Sequence, residues 1–159
     1  MENKRLHRCC FAGHRPQKLS YDENGIKTLL NTSIDKAIKM GYTTFITGMA
    51  MGVDIWAAEI VLEKRKTNGD LYLICAIPHS NFENVRNLYE VWRYKNVIEN
   101  SDYCVVLSNH YYKACYQKRD QFMVDRSNLV IAVYNGSPSG TRNTIEYAKR
   151  CGIEVINVI

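Results

Sequence analysis

At 159 residues, with 46% apolar and 23% charged residues, the chain has the size and composition of one soluble domain with a single core. No stretch approaches the ~18 uncharged apolar residues of a membrane helix, and residues 1–8 are charged where an export signal needs an apolar region, so a cytoplasmic location is expected. The formal net charge of +5 suits an anionic ligand or a nucleic acid but is too small and too scattered to select either.

The first strand signal is the run 8–12 (RCCFA). Apolar residues then recur at Ile26, Leu29, Leu30, Ile34, Ala37 and Ile38, a helical period that Gly41 stops. A second strand over 43–47 breaks at Gly48 and leads through Gly52 into a largely apolar helix carrying Ile55, Trp56, Ala57, Ala58, Ile60, Val61 and Leu62, which is expected to pack deep. After Asn68 and Gly69 the run 71–77 predicts a third strand, ended by Pro78. Ser80 and Glu83 have the spacing of a capping box, so the next helix is expected to open there, with Val85, Leu88 and Trp92 on its inner face. The runs 103–107 and 129–134 predict strands flanking a helix over about 113–126, and a helix over 141–151 and a strand over 154–158 close the series.

Six strands that alternate with helices and lack polar alternation predict a Rossmann-like, doubly wound, mostly parallel α/β sheet, with residues 1–159 as a single domain. Ligands of such sheets bind beyond the carboxyl ends of the strands, so chemistry is expected in the turns that follow them. The six cysteines form no CxxC pair, and several lie in strand-like runs, which points to reduced buried thiols. His7, His14, His79 and His110 have no ligand spacing to cysteines or carboxylates, and no metal is expected.

Three turns stand out. In residues 11–16 Gly13 permits close backbone approach, and Arg15 carries the paired donors that suit a phosphate, unless it is tied to a carboxylate such as Asp54; His14 reads as a turn residue. In residues 47–54 Gly48 and Gly52 separate a strand from a helix whose first amides and dipole would attract an anion or bond a ribose. This is neither GxGxxG nor a P-loop, and Asp54 either stabilises the dipole or binds sugar hydroxyls. In residues 134–141 Gly136 and Gly140 free the backbone, so that the following amides and the Ser139 and Thr141 hydroxyls would cradle a phosphate; the plain alternative makes Thr141 a helix N-cap. Between the fourth and fifth strands, Tyr111 and Tyr112 are candidates for stacking on a base, in a segment that reads equally well as a solvated helix.

Taken together, residues 12–16 (AGHRP), 48–54 (GMAMGVD), 118–125 (KRDQFMVD) and 139–141 (SGT) resemble the YpsA-like, DUF1273 branch of the SLOG superfamily, over nearly the whole chain. The resemblance implies a nucleotide-derived ligand, such as ADP-ribose or an NAD-related molecule, held by Gly48, Gly52, Asp54, Gly140 and Thr141. It also implies a homodimer. Distant relatives in that superfamily include the DprA DNA-processing proteins and the LOG-type nucleoside-monophosphate phosphoribohydrolases. The LOG pattern places a glutamate three residues after its Gly-Thr, where this chain has Thr144, with Glu146 further on; the Arg-Asn pair of DprA is here Arg119-Asp120. Both departures favour a sensor that binds a nucleotide and signals to a protein partner. The alternatives are an N-glycosidase using Asp54 or Glu146 with Arg15 on the phosphate, and single-stranded DNA binding through Arg119.

Overall fold

The computed structural model describes residues 4–82 and 86–159. Strand β1 (Arg8–Gly13) leads through a single 3-10 turn (Pro16–Lys18) into helix α1 (Glu23–Lys39). The Asp22 carboxylate caps that helix by accepting from Gly25 N at 2.8 Å, and Gly41, at φ +100°, lies just beyond its end. There follow β2 (Thr44–Thr47), α2 (Val53–Arg65), β3 (Tyr72–Ile77), α3 (Leu88–Asn100), β4 (Tyr103–Val106), α4 (Cys115–Asp125), β5 (Leu129–Val133), α5 (Gly140–Arg150) and β6 (Glu154–Asn157). All neighbouring strands pair in parallel, in the order β4-β3-β2-β1-β5-β6. The expected Rossmann-like architecture is present, and here every strand is parallel.

Alternate strand residues face opposite ways and build two apolar layers. Cys9, Phe11, Phe45, Leu73, Leu129 and Ile131 pack under α1, α2 and α3, whereas Cys10, Ala12, Ile46, Ala76, Val130 and Ala132 pack under α4 and α5. Helix α2 is buried from Val53 through Val61 except at the half-buried Glu59, as its apolar composition there predicts. All six cysteines are free, and burial pushes the Cys10 and Cys75 thiols up to about 12. Among the described residues, no helix is long and apolar enough to cross a membrane.

Helix α3 departs from expectation. It opens at Leu88, with Asn87 as its cap accepting from Glu90 N at 2.9 Å; Ser80 lies in a turn, and Glu83 and Val85 fall outside the described residues. Leu88 and Trp92 are exposed, and the inner face is Arg93, Tyr94 and Val97. Arg93, 2% exposed, donates to Glu23 Oε1 and Oε2 at 2.8 and 3.0 Å and also to Glu59, so one guanidinium ties α3 to α1 and α2. Strand β4 is an edge strand with Tyr103 and Val106 largely exposed, although its unbroken apolar run reads as buried.

Candidate functional site

Helices α1 and α5 leave β1 and β5 toward opposite faces of the sheet, so a crevice opens where those adjacent strands end, the topological switch point. A cavity of about 410 Å³ occupies this crevice, within the usual range for a small-molecule site of roughly 300–1,000 Å³. Gly13, His14, Arg15 and Lys18 line it from the β1 side, Ser139, Gly140, Thr141 and Thr144 from α5, Ala50 and Asp54 from α2 and its entry turn, and Phe82, Tyr116, Arg119 and Asp120 from the remaining side.

The α2 entry turn is built for close approach. Gly52 has φ +99°, and a Cβ there would meet Pro16 Cδ at 2.8 Å, which excludes other residues twice over. Met49 also takes a left-handed conformation, φ 63°, held by Arg86 donating to its carbonyl and by Thr47 Oγ1 accepting from its amide at 3.3 Å. Asp54 Oδ2 accepts from Ala50 N at 3.2 Å. Burial raises the Asp54 carboxyl to about 6, and Asp120 adds to this, against the opposing charges of Arg119 and Arg86.

Arg119 is buried and donates from Nη1 to the Gly48 carbonyl and from Nε to Asp120 Oδ1, both at 3.1 Å. Burial works against its cation, but Asp120 and Asp54 outweigh that and hold its pKa above the ordinary value. Thr144 Oγ1 shares its hydrogen between Asp120 Oδ2 and the Gly140 carbonyl, each at 3.0 Å, which links α4 to the start of α5. That start is capped by Ser139, whose Oγ accepts from Arg142 N at 3.2 Å, so Ser139 rather than Thr141 is the N-cap.

His14 is 2% exposed and packs on Tyr134 with ring centroids 5.2 Å apart and planes tilted by 34°, and among the described residues neither ring nitrogen has a hydrogen-bond partner. Burial lowers its pKa, and Lys18 lowers it further; Asn135 lies near enough to oppose the shift. Asn135 turns its oxygen to Ser137 and an amide hydrogen to the Lys18 carbonyl, and makes no bond of hydrogen-bonding geometry to the ring.

The structure thus brings Gly13, Arg15, Asp54, Arg119, Ser139, Gly140 and Thr141 to one cavity, with Gly48 and Gly52 shaping its wall from behind. Arg15 is exposed and free of an ion pair among the described residues, so it is not tied to Asp54. Gly136, at φ +93°, belongs to the β5 turn but not to the lining. Tyr111 and Tyr112 lie outside the cavity, Tyr111 packing on His79 and Tyr116 and Tyr112 on His110. Glu146 pairs with Arg142 at 3.1 Å and lines a separate hollow of about 380 Å³ between α4 and α5, which shares Tyr116, Asp120, Gly140 and Thr144 with the first. The sequence reading missed Phe82, Tyr116, Lys18, Asp120 and Thr144. A helical signal was available for two of them, since Tyr116, Arg119 and Asp120 stand at i, i+3 and i+4. Among the described residues, no group of three or more His, Cys, Asp or Glu is placed to hold a metal ion.

Fold and cavity together define a doubly wound α/β protein with a cavity at the switch point. Over residues 9–151 the chain matches the family model described as the YspA SLOG family, and it belongs to that family. It is similar to the uncharacterized SPbeta prophage-derived protein YoqJ of Bacillus subtilis (strain 168), with 31% identity over 118 residues, 67% of this chain and 69% of that one. A UPF0398 protein of Staphylococcus aureus (strain JH9) shares 24% identity over 112 residues, 69% of this chain; those residues span only 60% of the relative's length. Among solved structures, DNA processing protein A from Streptococcus pneumoniae matches with a TM-score of 0.66 at 18% identity, over 94% of this chain and 49% of that one. The Helicobacter pylori protein of the same name, described for its unique single-stranded DNA binding mode, gives 0.65 at 18% identity, over 96% and 64%. At such identity the likeness shows the fold.

Proposed function

We propose that the chain binds a nucleotide-derived ligand of the ADP-ribose or NAD type in the switch-point cavity and serves as a sensor for it. The observation that carries this reading is the convergence, on one cavity, of a helix N-terminus for a phosphate, the cations Arg15 and Lys18 at its mouth, a buried carboxyl at Asp54 for sugar hydroxyls, and the aromatic rings of Phe82 and Tyr116 for a base. Family membership supports it at the level of a nucleotide or nucleic-acid ligand. Arg119 spends its guanidinium on Gly48 and Asp120, which leaves little of its charge for a DNA backbone and favours the small molecule.

Thermal-shift titrations with ADP-ribose, NAD, AMP and a short single-stranded DNA test the reading. A ligand specific for the native state stabilises by ~2.7 kcal/mol at 100 times its dissociation constant. A shift with ADP-ribose or NAD is expected; shifts with DNA alone, or none at all, would defeat the proposal. A second reading, N-glycosidic hydrolysis, is favoured by one observation: Asp54, raised to about 6, lines the cavity as a carboxyl able to exchange a proton near neutral pH. Release of free base that disappears in Asp54→Asn would establish it.

A further inference from the structure

Asp54, Arg119, Asp120 and Thr144 all have hydrogen-bond partners around the cavity, whereas among the described residues His14 has none on either ring nitrogen. A buried donor or acceptor left unsatisfied is destabilising, and His14 carries one of each when neutral. It follows directly on β1 and lines the cavity that the N-terminus of α5 also lines. We propose that His14 is a ligand-contacting residue: the imidazole turns into the cavity to bond the ligand's phosphate at the α5 N-terminus, and in doing so takes up a proton.

The inference rests on the cavity being a phosphate site and adds the residue and the proton linkage. The charged groups around His14 set the sign. Lys18 and Arg15 come from the segment after β1 and the N-terminal amides of α5 line the same cavity; in the free protein burial disfavours the imidazolium and Lys18 disfavours it further. Asp54 from α2 and the Arg119–Asp120 pair from α4 share the cavity, and the Tyr134 ring covers His14 from the β5 turn. A bound phosphate neutralises the Lys18 and helix fields and offers only acceptors, which the doubly donating imidazolium satisfies and the neutral ring satisfies in part. The His14 pKa is therefore lower in the free protein than in the complex, and affinity for the phosphate rises as pH falls through that interval.

The test follows the His14 Cε1–H resonance by NMR from pH 5 to 8, without ligand, with ADP-ribose, with inorganic pyrophosphate, and with adenosine as the unphosphorylated control. The expected result is an upward displacement of the His14 titration by ADP-ribose and pyrophosphate and none by adenosine, together with a loss of affinity of about tenfold and of its pH dependence in His14→Gln. An upward displacement by pyrophosphate alone would keep the His14 site while removing ADP-ribose as its ligand. ADP-ribose binding that leaves the His14 titration in place would keep the nucleotide reading and overturn this one, and a titration unmoved by either phosphate compound would overturn it outright.

Discussion

The Asp54 carboxylate and the Arg119 guanidinium flank the Cα of Gly48: a Cβ at that position would lie 2.9 Å from both Asp54 Oδ2 and Arg119 Nε. Arg119 directs its hydrogen bonds to Asp120 and to the Gly48 carbonyl, so the glycine is both spacer and acceptor between opposite charges. Glycine is required here by space, since any side chain would enter the gap that the two charges leave.

Gly48→Ala is therefore expected to destabilise the protein by about 1–3 kcal/mol, the usual cost of overpacking, and to lower its melting temperature by ~2–4 °C for each of them. Gly140→Ala is the control, because a Cβ there meets nothing within 4 Å and the residue opens a helix. Calorimetric melting of both variants checks the contrast; equal melting temperatures would refute the spacer role.

Asp54 also sets a pH dependence. Its carboxyl is raised by burial from 3.8 to about 6 in the folded chain, so folded and unfolded states hold this proton equally below pH 4, and only the folded state holds it between 4 and 6. Its contribution is fully present below the unfolded pKa and is lost as pH rises through about 6, a cost on the order of 3 kcal/mol at neutral pH. Asp54→Asn, which can still accept from Ala50 N, is expected to gain stability over the parent at pH 7.5 relative to pH 4.5. Urea unfolding at the two pH values decides, and a parallel dependence in both proteins would exclude Asp54 as its source.

Much of this was legible from the residues. Strands β1, β2, β3 and β5 are buried on both faces, so their apolar runs carry an unambiguous signal, and the glycine turns at the ends of β1, β2 and β5 lead to the cavity. Where the reading failed, a local rule had two solutions or burial ran against polarity. Ser80 and Glu83 share their spacing with Asn87 and Glu90, and only tertiary packing selects the second pair as the helix start. Trp92 looks like core and Arg93 like surface, yet three helices converge on the guanidinium and leave the indole outside. Tyr111 and Tyr116 are equally aromatic in sequence; the phase of α4, which places Tyr116 one turn before Arg119 and Asp120, brings only the latter ring to the cavity.

Arg93 provides a measure of that buried charge. Arg93→Ala leaves Glu23 and Glu59 facing each other with Lys27 between them, at 3.5 and 3.2 Å, as their remaining partner. Removing one member of a buried ion pair costs ~3–5 kcal/mol, and the lower end is expected because Glu23 and Glu59 keep 37% and 24% exposure. Arg93→Lys, which cannot reach both carboxylates with paired donors, is expected to recover only part of the loss. Urea unfolding measures both, and an Arg93→Ala protein as stable as the parent would remove the network from the account of the core.

The aromatic wall gives the sharpest discrimination between the turn-based expectation and the observed site. Stacking of a base on an aromatic ring is worth ~1–3 kcal/mol by alanine substitution, so Tyr116→Ala is expected to weaken ADP-ribose binding about tenfold or more. Phe82 lines the same side, 5.8 Å from Tyr116 between ring centroids, and Phe82→Ala is expected to act in the same direction. Tyr112, exposed and packed on His110 outside the cavity, is expected to be silent when replaced by alanine. Titration calorimetry on the three variants reads this directly. Loss of affinity confined to Tyr112→Ala would place the base outside the switch-point cavity, at the β4–α4 loop, and would return the stacking role to the residues that the sequence alone suggests.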